Sequence, residues 1–324
     1  MTTRKIAKTM THDNKRANGR YYTVANLFDT KPFREWAKLA GLPETTLIEP
    51  FAGRGDLVRM LRELNMCDRA RLYDIEPAAK GIKCRDTLTS FPHNAGVVVT
   101  NPPWLARNSA TRRGLAFPYC EFDDLYKHCL SVCLENADYV AAIIPASFLS
   151  SGLFRGRLRS VDVAAAPVFS DTENPTCLAM FSLNDSKDVS VYNGGKLVGK
   201  LSDLERHLPR SENNNTRVQF NIPNGRLGLV AIDNTRQASI RFCRGSELEG
   251  YPIGQTSRMI TRISGNFGRN IGDFVENLNE RLEKFREKTS DVFLTPFKGL
   301  RRDGKYRRRL DYALAREFIR GTRA

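Results

Sequence analysis

The stretch Val97–Trp104 constrains the fold of this chain more than any other. Three consecutive valines (97–99) predict a buried β-strand, and Pro102 and Pro103 end that strand abruptly. Asn101 and Trp104 flank the two prolines. Open α/β sheets bind ligands outside the carboxyl ends of their strands. We therefore expect these polar and aromatic groups to lie at a functional edge of a sheet.

The chemistry of this segment suits a planar ring that carries an amino group. The side-chain oxygen of Asn101 and the main-chain oxygen of Pro102 can both accept from such an amine. Trp104 offers a flat face on which the ring can stack. An amine held in this way is prepared for N-methylation. The alternative is a strand that ends in a Pro-Pro turn beside an incidental tryptophan.

The four residues Asn101, Pro102, Pro103 and Trp104 resemble the catalytic motif of amino-methyltransferases that use S-adenosylmethionine (SAM), especially DNA adenine-N6 methyltransferases of restriction-modification systems. The resemblance implies that these residues hold the target base. A strand pair is also predicted over 166–169 and 176–181, and it resembles the last motif of the same family. There, Phe169 matches the aromatic residue that stacks on the opposite face of the extruded base.

Residues 46–57 predict a short strand, a glycine turn and the start of a helix over 57–64. Gly53 and Gly55 allow positive φ and leave room for a ligand to approach the backbone. The string lacks the third glycine of a dinucleotide-binding fingerprint and the long interval that separates those glycines from its acidic residue. Both absences disfavour NAD. The string resembles the first SAM motif. That resemblance implies cofactor contacts from Phe51 and both glycines, and implies that Glu49 holds the ammonium of the methionine moiety.

Further cofactor residues are implied by the same resemblance. Asp74 ends a predicted second strand (71–77) and suits the ribose diol, with Ile75 beside it. Asp86 stands where the family places an acid that accepts from the adenine amino group. Thr23 matches the substrate-side SAM motif, although that motif usually ends Thr-Pro and here it is followed by Val24. Asn101 also borders the cofactor.

Charge is divided unevenly along the chain. The formal net charge is +15; residues 1–184 hold 24 basic and 19 acidic side chains, whereas the shorter segment 185–324 holds 27 and 17. A polyanion partner held mainly by the second part is therefore expected. The residues predicted to contact nucleic acid are three arginines of a polar loop over 105–118 and a C-terminal basic set: Arg107, Arg112, Arg113, Lys298, Arg301, Arg302, Arg307, Arg308 and Arg309.

The composition disfavours several other classes of protein. The longest mostly apolar run, 139–149, is too short to span a bilayer. The first twenty residues carry six Lys/Arg and no apolar core, which argues against a secretory signal. Seven cysteines without a Cys-x-x-Cys pair indicate a reducing compartment and neither a zinc site nor a disulfide framework. We therefore expect a cytoplasmic monomer that needs no metal.

Together these features predict a doubly wound, Rossmann-like α/β sheet with a C-terminal basic α+β target-recognition domain. The expected boundaries are a basic segment 1–20, a SAM-dependent catalytic domain 21–184 and a nucleic-acid recognition domain 185–324. The expected activity is methylation of a flipped adenine in duplex DNA, with a cognate restriction endonuclease as partner.

Other functions share parts of this pattern. A ribosomal-RNA methyltransferase explains the charge equally well, whereas a glutamine methyltransferase of release factors has no use for the basic second part. The usual motif for cytosine-N4 methylation begins with serine instead of asparagine. A non-enzymatic DNA-binding protein with a decayed SAM fold is the alternative from a different class.

Overall fold

The computed structural model describes residues 26–169, 174–183, 188–211 and 217–322. The chain forms two compact units. The first extends to Leu197 without Leu149–Ser151, and the second contains Leu149–Ser151 and the chain from Val198 onward. Thr23 and the basic segment 1–20 lie outside the described residues.

One large sheet forms the centre of the first unit. Within the described residues its strands, in chain order, are β1 (Leu47–Glu49), β2 (Ala70–Asp74), β3 (Lys83–Cys84), β4 (Ala95–Thr100), β5 (Ala137–Pro145), β6 (Leu158–Val163), β7 (Thr176–Phe181), β8 (Ser190–Asn193) and β9 (Lys196–Lys200). Their spatial order is β3-β2-β1-β4-β5-β7-β6-β8-β9.

Strands β1 to β5 are parallel to one another, whereas β7 runs antiparallel to β5 and β6. The chain winds outward from β1 in one direction and then from β4 in the other, so β1 and β4 lie side by side at the switch point of the sheet. The prediction of a mostly parallel α/β sheet is confirmed. The switch point brings the loops after β1 and β4 to the same edge.

Four α-helices accompany this sheet in the described part of the first unit: α1 (Lys31–Leu39), α2 (Asp56–Glu63), α3 (Arg107–Arg113) and α4 (Leu125–Asn136). A 3-10 helix spans Ala146–Ser151. In α1, Phe33, Trp36 and Ala37 form a buried stripe. The indole N–H of Trp36 donates to the carbonyl of Phe181 at 2.9 Å and so fixes α1 against β7.

The segment 105–118 is not a loop throughout, as the sequence had suggested. Residues 107–113 form α3, whose Ala110 is buried and whose end is capped by Gly114 at a φ of 64°. The predicted strand pair is also different: β7 pairs with β6 and β5, and residues 166–168 form no strand. Phe169 therefore lies in the connection from β6 to β7.

The second unit contains a separate antiparallel sheet in the order β10-β13-β11-β12 and a two-stranded sheet, β14-β15. The elements described there are α5 (Leu201–Glu205), β10 (Gln219–Phe220), β11 (Leu227–Val230), β12 (Arg241–Arg244), a 3-10 helix (Gly245–Leu248), β13 (Ile260–Ser264), α6 (Ile271–Thr289), β14 (Thr295–Leu300), β15 (Tyr306–Arg309) and α7 (Tyr312–Arg320). In α6, Phe274, Leu278, Leu282 and Phe285 form the buried stripe.

A fully buried carboxylate, Asp233, joins the elements of the second unit. Its Oδ1 accepts from the backbone N–H of Ser239 at 2.7 Å, and Arg286 bonds to both carboxylate oxygens at 3.1 and 3.0 Å. Arg301 donates to Oδ2 at 3.1 Å. Although burial alone raises the pKa of Asp233, its bonds to Arg286 and to the backbone outweigh that effect and lower the pKa.

Replacing Asp233 with Ala should destabilise the second unit by about 3–5 kcal/mol, because Arg286 and Arg301 would be left buried without their shared partner. Hydrogen-exchange mass spectrometry of the full chain should then show lost protection across β11, β12 and α6. Asp303→Ala removes an exposed carboxylate paired with the same Arg301 and should have little effect. Unchanged protection in the Asp233 variant would contradict this role.

Candidate active site

The glycine turn after β1 is held in place by the acid that ends β2. Oδ2 of Asp74 accepts from the backbone N–H of Gly53, and Oδ1 accepts from that of Glu76, both at 2.8 Å. Gly53 and Gly55 have φ values of 54° and 78°, which residues with a Cβ rarely adopt. Gly55 then caps the start of α2. Asp74 thus shapes the turn in addition to any contact that it makes with a ligand.

Glu49 is a carboxylate buried at the end of β1, with 1% of its surface exposed. Burial raises its pKa well above the usual value, the charges of Asp56 and Asp74 raise it further, and the backbone N–H of Val58 lowers it. Oε2 of Glu49 has no hydrogen-bond partner within the described residues. A buried acceptor without a partner is costly. A cationic donor at this oxygen would remove that cost.

The acidic surroundings of the glycine turn restrict the ligands that it can hold. Glu49, Asp56 and Asp74 lie close enough for their charges to interact. A glycine turn that binds a pyrophosphate needs a positive potential. Asp56 pairs with Arg54 and Arg59, whereas Glu49 and Asp74 lie at the ends of neighbouring strands, an arrangement that opposes such a ligand and favours one that carries positive charge.

The remaining predicted cofactor residues lie around this turn. Phe51 is partly exposed in the turn itself, and Ile75, the next residue after Asp74, is 56% exposed. Asp86 accepts from the backbone N–H of Leu88 at 3.0 Å through Oδ1. The hydroxyl of Thr87 donates to the carbonyl of Pro50 at 3.0 Å and is buried. Thr87 therefore ties the loop of Asp86 to the end of β1.

The segment Asn101–Trp104 follows β4 directly, as predicted. Ile48 of β1 pairs with Val98 of the parallel neighbouring strand β4. The glycine turn and the Asn-Pro-Pro-Trp segment therefore follow the carboxyl ends of adjacent strands, at the same edge of the sheet. Asn101 is partly exposed and Trp104 is buried. The structure therefore brings the two predicted motifs together.

Phe169 meets Trp104 edge to face: their ring centroids are 5.1 Å apart and the rings are inclined by 85°. A planar base between two stacked rings needs them nearly parallel and about 7 Å apart, twice an ordinary contact distance. The structure thus brings the two predicted aromatic residues together but closes the space between them. The rings must move apart before a base can enter.

Asp124, which is not among the predicted site residues, anchors the chain just after Trp104. Its Oδ1 accepts from the backbone N–H of Leu105 at 3.1 Å and of Tyr126 at 3.4 Å. The carboxylate therefore joins the end of the Asn-Pro-Pro-Trp segment to the start of α4. Burial raises the pKa of Asp124 to about 6, against the lowering effect of these two bonds. An aspartate directly before the apolar stretch of α4, in the position of a capping residue, was the signal available in the sequence.

The arginines predicted to contact nucleic acid divide into exposed and interior groups. Arg112 and Arg113 are exposed on α3, whereas Arg107 donates to the carbonyls of Cys120 and Phe122, both at 2.6 Å. In the second unit, Arg301 and Arg308 are only 8% and 7% exposed. These two belong to the buried surroundings of Asp233, which corrects their assignment to a phosphate-binding surface.

The rest of the C-terminal basic set is more accessible. Lys298 and Arg302 are exposed. Arg307 donates through Nε to the carbonyl of Asp233 at 2.7 Å and covers the Phe297 ring. Arg309 is half-buried. Lys298 and Arg302 are therefore fully accessible to a partner, whereas Arg307 and Arg309 are only partly accessible.

No helix in the described part of the chain combines the length and apolar character needed to cross a membrane. No protein-family model matches this chain, and no curated protein matches its sequence.

Several solved structures are similar at low identity. The methyltransferase subunit of a type I restriction-modification system from Streptococcus thermophilus is 17% identical, with 55% of this chain and 48% of that chain covered and a TM-score of 0.37. The M protein of the type I restriction enzyme EcoKI is 15% identical, with 49% and 47% covered and a TM-score of 0.35. The type IIG restriction endonuclease BpuSI is 16% identical, with 74% and 33% covered and a TM-score of 0.40. This chain spans about half the length of the two modification subunits.

The pH dependence of stability should reveal the buried charge of Asp124. Its pKa in the folded chain, about 6, is above the ordinary 3.8, so ionisation between these values destabilises the fold as pH rises. Asp124→Asn removes that cost. We expect the melting temperature of this variant, relative to wild type, to increase from pH 4 to pH 7 in thermal scans.

Asp123→Asn is the matched control for this measurement. Hydrogen bonding to Lys127 lowers the pKa of Asp123, so its ionised form stabilises the fold and that contribution is lost as pH falls. The melting temperature of the Asp123 variant relative to wild type should therefore move in the opposite direction, weakly because this carboxylate is exposed. The same trend in both variants would refute the assignment to Asp124.

Proposed function

We propose that this chain is a SAM-dependent methyltransferase that transfers a methyl group to the N6 amino group of a flipped adenine in duplex DNA. The observation that carries the proposal is the pairing of two features on adjacent strands. A buried carboxylate with an unpartnered oxygen ends β1, and the Asn-Pro-Pro-Trp segment follows β4. One feature suits a cationic amino-acid moiety, and the other suits an aromatic amine.

The residues after β1 and β2 fit SAM better than an anionic dinucleotide. Oε2 of Glu49 would accept from the ammonium of the methionine moiety, and the glycine turn would let that moiety lie against the backbone. Ile75 would pack on the adenine ring, and Asp86 would accept from its amino group. Asp74 would accept from the ribose hydroxyls in addition to its two backbone donors. When bound, SAM supplies an electrophilic methyl group on a sulfonium.

The residues after β4 would hold the acceptor amine. The side-chain oxygen of Asn101 and the main-chain oxygen of Pro102 accept its two hydrogens, which draws the nitrogen lone pair out of conjugation with the ring. Trp104 packs on one face of the base and Phe169 on the other. Positioning and polarisation of the amine then account for the rate, and the proton that the nitrogen loses on methylation passes to water, so no strong base is needed.

Methyl-transfer assays with three different nucleic acids would test the identity of the methyl acceptor. Wild-type protein is incubated with tritiated SAM and either duplex DNA, single-stranded DNA or ribosomal RNA, and the labelled nucleoside is identified after digestion. N6-methyladenine from duplex DNA is the expected product. Label mainly in RNA, or in N4-methylcytosine, would overturn the acceptor but leave the reaction class. No transfer to any of these acceptors would overturn the enzymatic proposal itself.

Asn101→Ala should reduce methyl transfer below about a tenth of the wild-type rate, equivalent to 1.4 kcal/mol of barrier. SAM affinity should stay within a few-fold, because Asn101 acts on the acceptor amine. Asn108→Ala, which truncates an exposed asparagine on nearby α3, should leave both quantities unchanged. Transfer by the Asn101 variant above that threshold would remove this residue from the mechanism.

SAM binding should release a proton from Glu49. The pKa of its carboxyl is raised well above normal in the unliganded chain, and an adjacent ammonium would lower it. Calorimetric titrations in Tris and in phosphate at the same pH should therefore differ in enthalpy by the amount expected for release of up to about one proton. Glu49→Gln should weaken SAM binding and abolish the enthalpy difference between the two buffers. Glu44→Gln, at an exposed carboxylate, should retain the wild-type SAM affinity and the enthalpy difference. An equal buffer effect in Glu49→Gln would exclude this role for Glu49.

A further inference from the structure

A stacked aromatic pair marks one surface of the second unit. The rings of Phe220 and Tyr312 have centroids 4.3 Å apart and planes inclined by 11°. The guanidinium carbon of Arg316 lies 5.1 Å from the centroid of the Phe220 ring. Tyr312 and Arg316 are four residues apart in α7, so they lie on the same face of that helix.

Two further arginines are placed near Tyr312 by the backbone: Arg309 ends β15, three residues before Tyr312, and Arg258 directly follows Ser257. Burial raises the pKa of Tyr312, and the bond to Thr261 and the charges of Arg309 and Arg258 lower it. Both guanidinium groups therefore act on this hydroxyl. The same hydroxyl donates to the carbonyl of Ser257, the residue before Arg258, at 2.7 Å. Arg316 thus lies on the aromatic pair, and Arg258 and Arg309 belong to the segments next to it; we call these three residues the arginine cluster.

The arginine cluster carries positive charge that the described residues do not compensate. Arg286 and Arg301 in the same unit pair with the buried Asp233. By contrast, no ion pair joins any member of the cluster to a carboxylate in the described part of the chain. Nε of Arg309 is buried and has no hydrogen-bond partner there. Three like charges held together repel one another, and an anion would offset the repulsion.

The loop that carries Arg258 is fixed in position. The side-chain amide of Asn221 donates to the carbonyls of Gln255 and Ser257 at 2.8 and 3.2 Å. The backbone N–H of Asn221 donates to the hydroxyl of Thr261 at 2.9 Å. Arg258 itself is exposed. Its side chain therefore starts from a rigid base, which reduces the entropy lost when it binds a ligand.

We propose that the arginine cluster holds phosphates of the DNA duplex on which this chain acts. Guanidinium groups bind phosphate oxygens in a bidentate manner, and the cluster offers three of them beside an aromatic pair. This inference rests on the proposed function for the identity of the polyanion. It also relocates the phosphate contacts of the second unit, because Arg301 and Arg308 are buried.

The first test compares two triple variants of the full chain that remove the same charge. Arg258→Ala, Arg309→Ala and Arg316→Ala together remove the cluster. Arg236→Ala, Arg241→Ala and Arg269→Ala remove three exposed arginines elsewhere in the same unit. Affinity for a duplex is measured against salt concentration. We expect the cluster variant to lose affinity and to reduce the slope of log affinity against log salt by about 2 to 3, and the control to change it much less.

The outcomes separate this inference from the proposed function. An equal change of slope in both variants, or no change in the cluster variant, overturns the proposal that the arginine cluster binds phosphates. This holds even if the wild-type chain methylates DNA. A selective change of slope in a chain that neither binds SAM nor transfers methyl supports the cluster and overturns the function. Tighter binding of a matched RNA duplex than of DNA overturns the stated partner.

A second test needs no variant and therefore does not depend on folding of the triple variants. Wild-type chain is treated with phenylglyoxal, which modifies accessible guanidinium groups, with and without duplex DNA, and the sites are read by mass spectrometry. DNA should protect Arg258, Arg309 and Arg316 and should leave Arg236, Arg241 and Arg269 reactive. Protection of the control set, or none of the cluster, would overturn the proposal.

Discussion

The contact on which the candidate site depends is the pair of hydrogen bonds accepted by Asp74. One carboxylate reaches back to Gly53 and forward to Glu76, so the end of β2 determines the path of the chain after β1. This arrangement brings negative charge close to the buried Glu49. The turn is therefore conformationally defined before a ligand binds, yet electrostatically strained. A cationic ligand would relieve the strain, whereas a pyrophosphate would add to it.

The second unit handles its charge in a different way. Its interior holds a carboxylate, Asp233, whose negative charge is balanced by Arg286 and Arg301. Burying such a group costs free energy that the bonds must recover, so it specifies one arrangement of the chain more than it adds stability. The net charge of the second unit therefore overestimates the positive charge on its surface, because some of its arginines are paired in the interior. What remains for a partner is the smaller set of arginines that have no internal carboxylate.

How far the sequence predicted the structure depends on how many residues separate the interacting groups along the chain. The glycine turn and the strand before Asn101 were predictable because the sequence signals are local and contiguous. Arg301 was misassigned because its partner, Asp233, lies 68 residues away. Arg107 was placed on a surface although carbonyls more than ten residues later accept its bonds. Sequence patterns report which side chains are charged, whereas their partners are decided by tertiary packing.

The edge-to-face contact of Trp104 and Phe169 adds a constraint on how the site would work. A contact of this kind contributes about 0.5–1.5 kcal/mol beyond area burial. In the proposed function, an entering base would replace it with two stacked faces, and its amine would reach Asn101 and Pro102 only once the base lay between the rings. Trp104 is also anchored through Leu105 to Asp124, whereas Phe169 lies in the connection between β6 and β7 rather than within a strand. Opening is therefore expected to move Phe169 more than Trp104, which keeps the Asn-Pro-Pro-Trp segment aligned with the end of β1.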